Sequence, residues 1–105
     1  MNRIEILNKA AELTGEGDRN QAYGAPINNM QATADIFNGY WNVRKKKVDC
    51  LEPVDVAMFL ACVKMARIAF NPDHQDSYID LAAYAGIAGE VRNKKMKGDG
   101  KNGEQ

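Results

Sequence analysis

The segment from Pro53 to Phe70 constrains the fold more than any other part of the sequence. It reads PVDVAMFLACVKMARIAF, so apolar residues occupy nearly every side of the helix that this pattern predicts. Asn71-Pro72 ends the helix, because a residue that precedes proline is disfavoured in the α conformation. A helix that is apolar nearly all round is buried on several sides. We therefore expect a core built around it, contributed by other helices or by further copies of the chain.

The first half of the chain shows the periodicity of two more helices. A first helix is predicted from the spacings of three and four residues that join Ile4, Leu7 and Ala11. Gly15 then ends it. A second helix is predicted to begin at Pro26, because proline fits the first turn of a helix. Its apolar stripe consists of Ile27, Met30, Ala34, Phe37 and Trp41. The four adjacent cations at 44–47 predict a solvated loop after this helix.

A fourth helix is predicted to begin between His74 and Asp76 and to end near Arg92. Residues 94–105 have no apolar period, which predicts a disordered tail. Without any strand pattern, residues 1–93 are predicted to form an all-α, four-helix bundle-like domain. The fourth helix also carries a run of small residues that permits close packing, and we expect homo-oligomers to associate through it. The run comprises Ala82, Ala83, Ala85, Gly86, Ala88 and Gly89.

Charge and hydropathy exclude several function classes. The 14 Lys and Arg residues balance 14 Asp and Glu residues, so no sustained basic surface is available for general nucleic-acid binding. No apolar run approaches the roughly 18–20 residues of a membrane span, and the N-terminus lacks the apolar stretch of a signal peptide. Cys50 and Cys62 form neither a C-x-x-C pair nor a disulfide framework. These features predict a cytoplasmic protein without a membrane partner.

Two cations lie on the apolar third helix. At about 100° per residue, Lys64 and Arg67 are within about 60° of each other, and Asp55 points the opposite way. Paired cations on a mostly buried helix are costly unless an anion meets them. That anion can be a ligand. Alternatively, Lys64 extends to water while Arg67 pairs with a carboxylate of a neighbouring helix.

The fourth predicted helix supplies candidate carboxylates. Asp76 and Asp80 are four residues apart and can share one Mg²⁺, which prefers carboxylates, waters and substrate phosphates. The alternative is that Asp76 is a favourable charge at a helix N-terminus while Asp80 pairs with Arg67. His74 beside this helix start has the position of a capping or surface residue.

The loop before the second helix contains the turn sequence Tyr23-Gly24-x-Pro26. Gly24 can adopt a left-handed conformation, and Pro26 stiffens the exit from the turn. A tyrosine held there can stack on a base or bind a phosphate, or it can anchor the loop on the bundle. Asn29 in the first turn of the helix can cap it or contact a ligand.

Several of these residues fall in blocks that resemble a known family. The blocks are Ala22-Tyr23-Gly24-x-Pro26-x-x-Asn29, Asp55-Val56-Ala57, Lys64-x-Ala66-Arg67 and Asn71-Pro72-x-His74-x-Asp76-Ser77-x-x-Asp80-Leu81-Ala82-x-Tyr84. They resemble small phage and prophage proteins that share a domain of unknown function. That domain is similar in turn to MazG-type all-α nucleoside-triphosphate pyrophosphohydrolases and to nucleotide-modification-associated helical domains. The resemblance implies an oligomeric, helical, nucleotide-handling protein of the host cell cytoplasm. MazG-like enzymes use Mg²⁺ to cleave a nucleoside triphosphate into a monophosphate and pyrophosphate.

Within this resemblance, Asp76 and Asp80 match the second acidic motif, which holds the metal. Lys64 and Arg67 match the basic positions that precede it. The first motif, Glu-Glu-x-x-Glu on one helix, is absent, and Asp55 is the candidate to complete the site.

Three functions are therefore open. The first is Mg²⁺-dependent hydrolysis of a (d)NTP, with Asp76, Asp80 and Asp55 as catalytic acids. In this function Lys64, Arg67, Tyr23 and Asn29 bind the nucleotide. The second is inactive binding that sequesters a nucleotide or a nucleotide signal, as an anti-defence protein would. The third is a structural or protein-inhibitor role, in which the charged residues form a buried ion-pair network.

Overall fold

The structure is a computed structural model that describes residues 1–15 and 24–100, with side chains through residue 94. Four helices lie within these ranges: α1 (Arg3–Thr14), α2 (Pro26–Arg44), α3 (Pro53–Phe70) and α4 (Gln75–Gly100). The described residues form no strand, so the all-α prediction is confirmed. Within these ranges, no helix combines the length and the hydropathy that a membrane span requires.

The local sequence signals account for the ends of α3. Pro53 occupies its first turn, and the backbone N–H of Glu52 donates to the carboxylate of Asp55 over 2.8 Å. At the other end, the N–H of Asn71 donates to the carbonyl of Arg67. These contacts satisfy backbone groups that a helix leaves unpaired at its ends. Both predicted ends of α3 are confirmed.

The end of α4 differs from the prediction. The helix was expected to end near Arg92, but it continues to Gly100. Residues 93–100 contain three lysines and one methionine, which have high helix propensity and need no apolar stripe to extend a helix. The disordered tail stays a prediction, and residues 101–105 lie outside the described part of the chain.

The core lies where α3 packs between α2 and α4. Its buried apolar residues are all small: Ala57, Ala61, Cys62, Ala66 and Ala88. Alanine side chains allow two helices to approach closely, and the packing of α3 on α4 is the most extensive of the chain. Of the small residues predicted to mediate self-association, Ala88 is used inside the chain, while Gly86 and Gly89 face open space.

The apolar stripe predicted for α2 is wrong in its first half. Ile27 and Met30 are 74% and 61% exposed, whereas Asn29 and Thr33 are buried. The Thr33 hydroxyl donates to the carbonyl of Asn29 over 3.0 Å. Buried polar groups that keep their hydrogen bonds are tolerated in a core, so α2 can present a polar face to its neighbours.

Helix α1 contributes nothing to this core. It begins with a capping box, in which the Glu5 N–H donates to the Asn2 side chain and the Asn2 N–H donates to Glu5. No residue of α1 is buried. Three helices therefore pack together, and α1 stands apart from them.

Candidate functional site

Two groups of charged residues lie toward opposite ends of α3. The closed cluster consists of Tyr40, Arg44, Glu52, Asp55 and Arg92. The open cluster is defined by the contact between Lys64 and Asp80, and we count with it Arg67, three residues after Lys64 on α3, and Asp76, four residues before Asp80 on α4. Asp55 and Lys64 are nine residues apart, which corresponds to about 14 Å along a helix.

Asp55 is the centre of the closed cluster and is fully buried. Its Oδ1 accepts hydrogen bonds from the Tyr40 hydroxyl and from Arg44 Nε, both over 2.7 Å. Its Oδ2 accepts from the Glu52 N–H over 2.8 Å and from Arg44 Nη2 over 3.4 Å. Both carboxylate oxygens are therefore engaged inside the protein.

Glu52 extends the closed cluster to α4. Its Oε1 accepts from Arg44 Nη2 over 2.7 Å and from Arg92 Nη1 over 3.1 Å. Two cations thus balance the carboxylates of Glu52 and Asp55. Since Arg44 belongs to α2, Asp55 to α3 and Arg92 to α4, the cluster ties together the three packed helices.

The environment of Asp55 fixes its charge. Burial alone would raise its pKa, but hydrogen bonds from Arg44, Tyr40 and the Glu52 backbone outweigh burial and lower the pKa to about 2. Burial, together with the hydrogen bond to Asp55, raises the pKa of Tyr40 to about 12. Hydrogen bonds to both carboxylates raise the pKa of Arg44 above its ordinary value. At neutral pH, Asp55 is a carboxylate with little capacity to take up a proton.

Two sequence predictions concern this cluster. Asp55 was a candidate catalytic acid, and the structure places it with Arg44 and Tyr40, apart from Asp76 and Asp80. Arg44 was assigned to a solvated loop, which is wrong. It is the last residue of α2, and its side chain is only 18% exposed because it pairs with Asp55. The available signal was an aspartate at the start of an apolar helix, which calls for a cation nearby.

The open cluster brings Lys64 against α4. Lys64 Nζ lies 3.0 Å from Asp80 Oδ2, and the two side chains are 14% and 47% exposed. Asp76 lies in the first turn of α4 and is exposed, while Arg67 is half-buried. In the described part of the chain, no three His, Cys, Asp or Glu residues are grouped so that they could hold a metal.

The turn before α2 and the turn before α4 each make specific contacts with a neighbouring helix. Gly24 adopts a left-handed conformation with φ 81°, and a Cβ there would lie 3.0 Å from the ring of Phe70. The start of α2 therefore lies against the end of α3. At the start of α4, His74 Nδ1 lies 2.9 Å from Ser77 Oγ, and the His74 carbonyl accepts the Ser77 N–H. His74 thus directly precedes α4 and contacts its first turn through the Ser77 side chain. Tyr23 lies outside the described residues.

Comparison with known proteins identifies relatives of the whole helical region. Residues 5–92 match the family described as a domain of unknown function, DUF6378. The gene 55 protein of Mycobacterium phage D29 is 34% identical over 94 residues, which cover 90% of this chain and 58% of that protein. The gene 55 protein of Mycobacterium phage L5 is 36% identical over 84 residues, which cover 80% of this chain and 50% of that protein.

The chain thus spans about half the length of these relatives. No solved structure matches it. The predicted resemblance to a phage domain of unknown function is confirmed, whereas a relation to MazG-type enzymes stays a prediction. The chain belongs to the DUF6378 family.

Proposed function

We propose that the chain binds a phosphorylated nucleotide at the open cluster, where α3 ends and α4 begins. The observation that carries the proposal is the placement of two cations, Lys64 and Arg67, about one turn apart on the central packed helix, with neither side chain fully exposed. Lys64 keeps only 14% of its side chain exposed. Cations in such a position bind phosphate more strongly than cations on an open surface, because water screens them less.

The carboxylates of the open cluster suit a metal that arrives with its ligand. Mg²⁺ commonly uses one or two carboxylates together with waters and substrate phosphates. Asp76 and Asp80 supply two carboxylates at a spacing of one helical turn. When bound, Mg²⁺ would neutralise phosphate charge. Lys64 would then exchange its contact with Asp80 for a contact with the phosphates.

Hydrolysis of a (d)NTP to a monophosphate and pyrophosphate is the second candidate. The carboxylates of Asp76 and Asp80 favour hydrolysis, and so does the similarity to MazG-type enzymes that the sequence predicts. A metal-assisted attack needs enough acidic ligands to orient a water molecule. The third candidate acid, Asp55, has both carboxylate oxygens engaged in the closed cluster. This observation favours binding over turnover.

The cellular setting that we propose rests on the phage relatives. The matched proteins are phage gene products, so the setting we propose is the cytoplasm of an infected host cell. There, a protein that binds nucleotides or nucleotide signals could control their pool or blunt a defence. We also propose that the protein acts as a homo-oligomer, as MazG-like proteins do.

A thermal-shift screen tests the proposal directly. The purified chain is heated with NTPs, dNTPs and cyclic nucleotides, with and without Mg²⁺, and positive conditions are assayed for pyrophosphate. A ligand at 100 times its Kd adds about 2.7 kcal/mol to the free energy of unfolding. A shift without pyrophosphate supports binding, and a Mg²⁺-dependent shift with pyrophosphate supports hydrolysis.

Two variants test whether the nucleotide-dependent thermal shift comes from binding at the open cluster. Arg67→Met removes a cation of the open cluster and should abolish the nucleotide-dependent shift. Lys46→Met removes an exposed cation in the turn after α2 and should leave the shift intact. If no nucleotide shifts the wild-type protein, both functions fail, and the open cluster is a structural ion-pair network.

A further inference from the structure

Helix α1 has an apolar half in which no residue is buried by the part of the chain that the structure describes. At 100° per residue, one half of the helix is apolar apart from Arg3 and Thr14, and its apolar members are Ile4, Ile6, Leu7, Ala10, Ala11 and Leu13. The other half carries Glu5, Asn8, Lys9 and Glu12. The four large apolar side chains are between 52% and 65% exposed. An amphipathic helix of 12 residues is marginal in water unless its apolar side is packed.

Helix α3 has an open face of matching character. Its side toward α2 carries Asp55, and its side toward α4 carries Lys64. Between these sides lies the α3 open face, with the spacing of an amphipathic helix. It consists of Val56, Phe59, Leu60 and Val63. Val56, Phe59 and Leu60 are between 37% and 51% exposed.

A groove runs beside the N-terminal half of this face. It has a volume of about 290 Å³ and is lined by Phe37, Leu51, Asp55, Val56 and Phe59. The carboxylate oxygens of Asp55 are engaged by Arg44, Tyr40 and Glu52, so the groove presents an apolar surface. Its volume suits a few aliphatic side chains better than a large ligand.

We propose that α1 of one copy packs against the α3 open face of a second copy, and that the exchange is reciprocal. Among the described residues, each copy leaves both an amphipathic helix and an apolar groove exposed, so two copies related by a twofold axis can cover each other's surfaces. The inference does not depend on nucleotide binding.

The available area agrees with a stable dimer. Eight apolar side chains are between 37% and 65% exposed: Ile4, Ile6, Leu7 and Leu13 on α1, and Leu51, Val56, Phe59 and Leu60 around the groove. If each exposes about half of an area near the lower end of the range for aromatic side chains, they present on the order of 600 Å² per copy. This is the lower end of the roughly 600–1,000 Å² per partner of a standard interface. Within its own chain, α1 buries no residue, so the helix does not occupy its own groove.

Sedimentation velocity and light scattering of the full chain test the inference. The wild-type protein should have twice the monomer mass of 11.6 kDa at micromolar concentrations. Leu7→Lys on α1 and Val56→Lys on α3 should each yield monomers that keep the three packed helices and lose helicity only in the unpacked α1. Ile79→Lys is the matched control, since Ile79 is 64% exposed near the start of α4 and lies outside both surfaces. It should leave the dimer intact.

Mixing the Leu7→Lys and Val56→Lys variants distinguishes the reciprocal packing of α1 on the α3 open face from other modes of association. The Val56→Lys copy keeps a native α1, and the Leu7→Lys copy keeps a native groove. The mixture should therefore recover association through one intact contact, while each variant alone stays monomeric. A monomeric wild-type protein would overturn the inference, and so would a dimer that survives both substitutions. Failure of the mixture to associate would instead point to α1 docking within its own chain and would also overturn it.

Discussion

The two charged clusters of α3 contain the same kinds of residue in opposite physical states. In the closed cluster, Asp55 is fully buried, and both its oxygens accept hydrogen bonds from within the chain. In the open cluster, Asp76 is exposed and Asp80 keeps 47% of its side chain in contact with solvent. Residue type alone does not separate the two clusters, whereas burial and hydrogen bonding do.

The difference is the reason why we propose the open cluster, and not the closed cluster, as the place where a ligand binds. Removing one partner from a buried ion pair costs several kcal/mol, because the remaining charge is left without water or a counter-ion. Asp80 is 47% exposed and can leave its partner at little cost because water solvates its carboxylate, whereas Lys64 is 14% exposed and needs another anion in exchange. Asp55 therefore holds helices together, while our proposal requires Lys64 to exchange Asp80 for a phosphate.

The largest expected effect comes from breaking the closed cluster. Asp55→Ala should lower the free energy of unfolding by about 3–5 kcal/mol, because it leaves the half-buried Arg44 without its closest carboxylate. Urea unfolding at neutral pH measures this change. Asp49→Ala removes an exposed carboxylate nearby and should change stability by less than about 0.5 kcal/mol. A loss below about 1 kcal/mol for Asp55→Ala would mean that the closed cluster does not stabilise the fold.

The pH dependence of stability tests the same stabilising role of Asp55. The pKa of Asp55 is about 2 in the folded chain, against an ordinary value of 3.8. A lowered pKa adds stability that is fully present above 3.8 and is lost as the pH falls through about 2. Since one pKa unit corresponds to about 1.4 kcal/mol, the lowered pKa of Asp55 contributes about 2 kcal/mol to the free energy of unfolding. The difference in urea midpoint between the wild-type protein and Asp55→Asn should therefore shrink between pH 5 and pH 2. A constant difference would contradict the assignment.

Much of this fold follows from local sequence signals. Helix α3 could be predicted to the residue because Pro53 begins it and Asn71-Pro72 ends it. The approach of Asp80 to α3 was also predictable, since α3 and α4 are joined by a short turn. Its contact is with Lys64, whereas the sequence suggested Arg67.

The closed cluster could not be predicted in the same way. Arg44 and Asp55 meet only because α2 and α3 pack with a particular rotation, and no local pattern encodes that rotation. The same applies to α2, where hydropathy favoured burial of Met30 and packing buried Asn29 and Thr33 instead. Because polar residues can be buried when they are hydrogen-bonded, the apolar stripe of a helix need not be the side that faces the core.

A smaller effect should come from the contact that seats α2 beside the open cluster. Gly24→Ala forces a side chain into a left-handed backbone conformation and places its Cβ about 3.0 Å from Phe70. We expect a loss of about 1–3 kcal/mol in urea unfolding. Gly39→Ala is the control, because a Cβ at this helical position meets nothing within 4 Å. It should stabilise the chain by about 0.5–1 kcal/mol. Equal effects at the two glycines would contradict the proposed contact.

The smallest change in stability is expected at the open cluster itself. Asp80→Asn removes the more exposed charge of the pair, and the flexible stem of Lys64 can carry its ammonium group to water, so the free energy of unfolding without ligand should fall by less than about 1 kcal/mol. The same substitution removes a proposed Mg²⁺ ligand, and the Mg²⁺-dependent part of the nucleotide shift should disappear. Thermal and urea unfolding with and without Mg²⁺ and nucleotide separate these effects. A loss above about 2 kcal/mol without ligand would mean that Asp80, like Asp55, is a structural charge. The contrast between the two ends of α3 would then be one of exposure rather than of function.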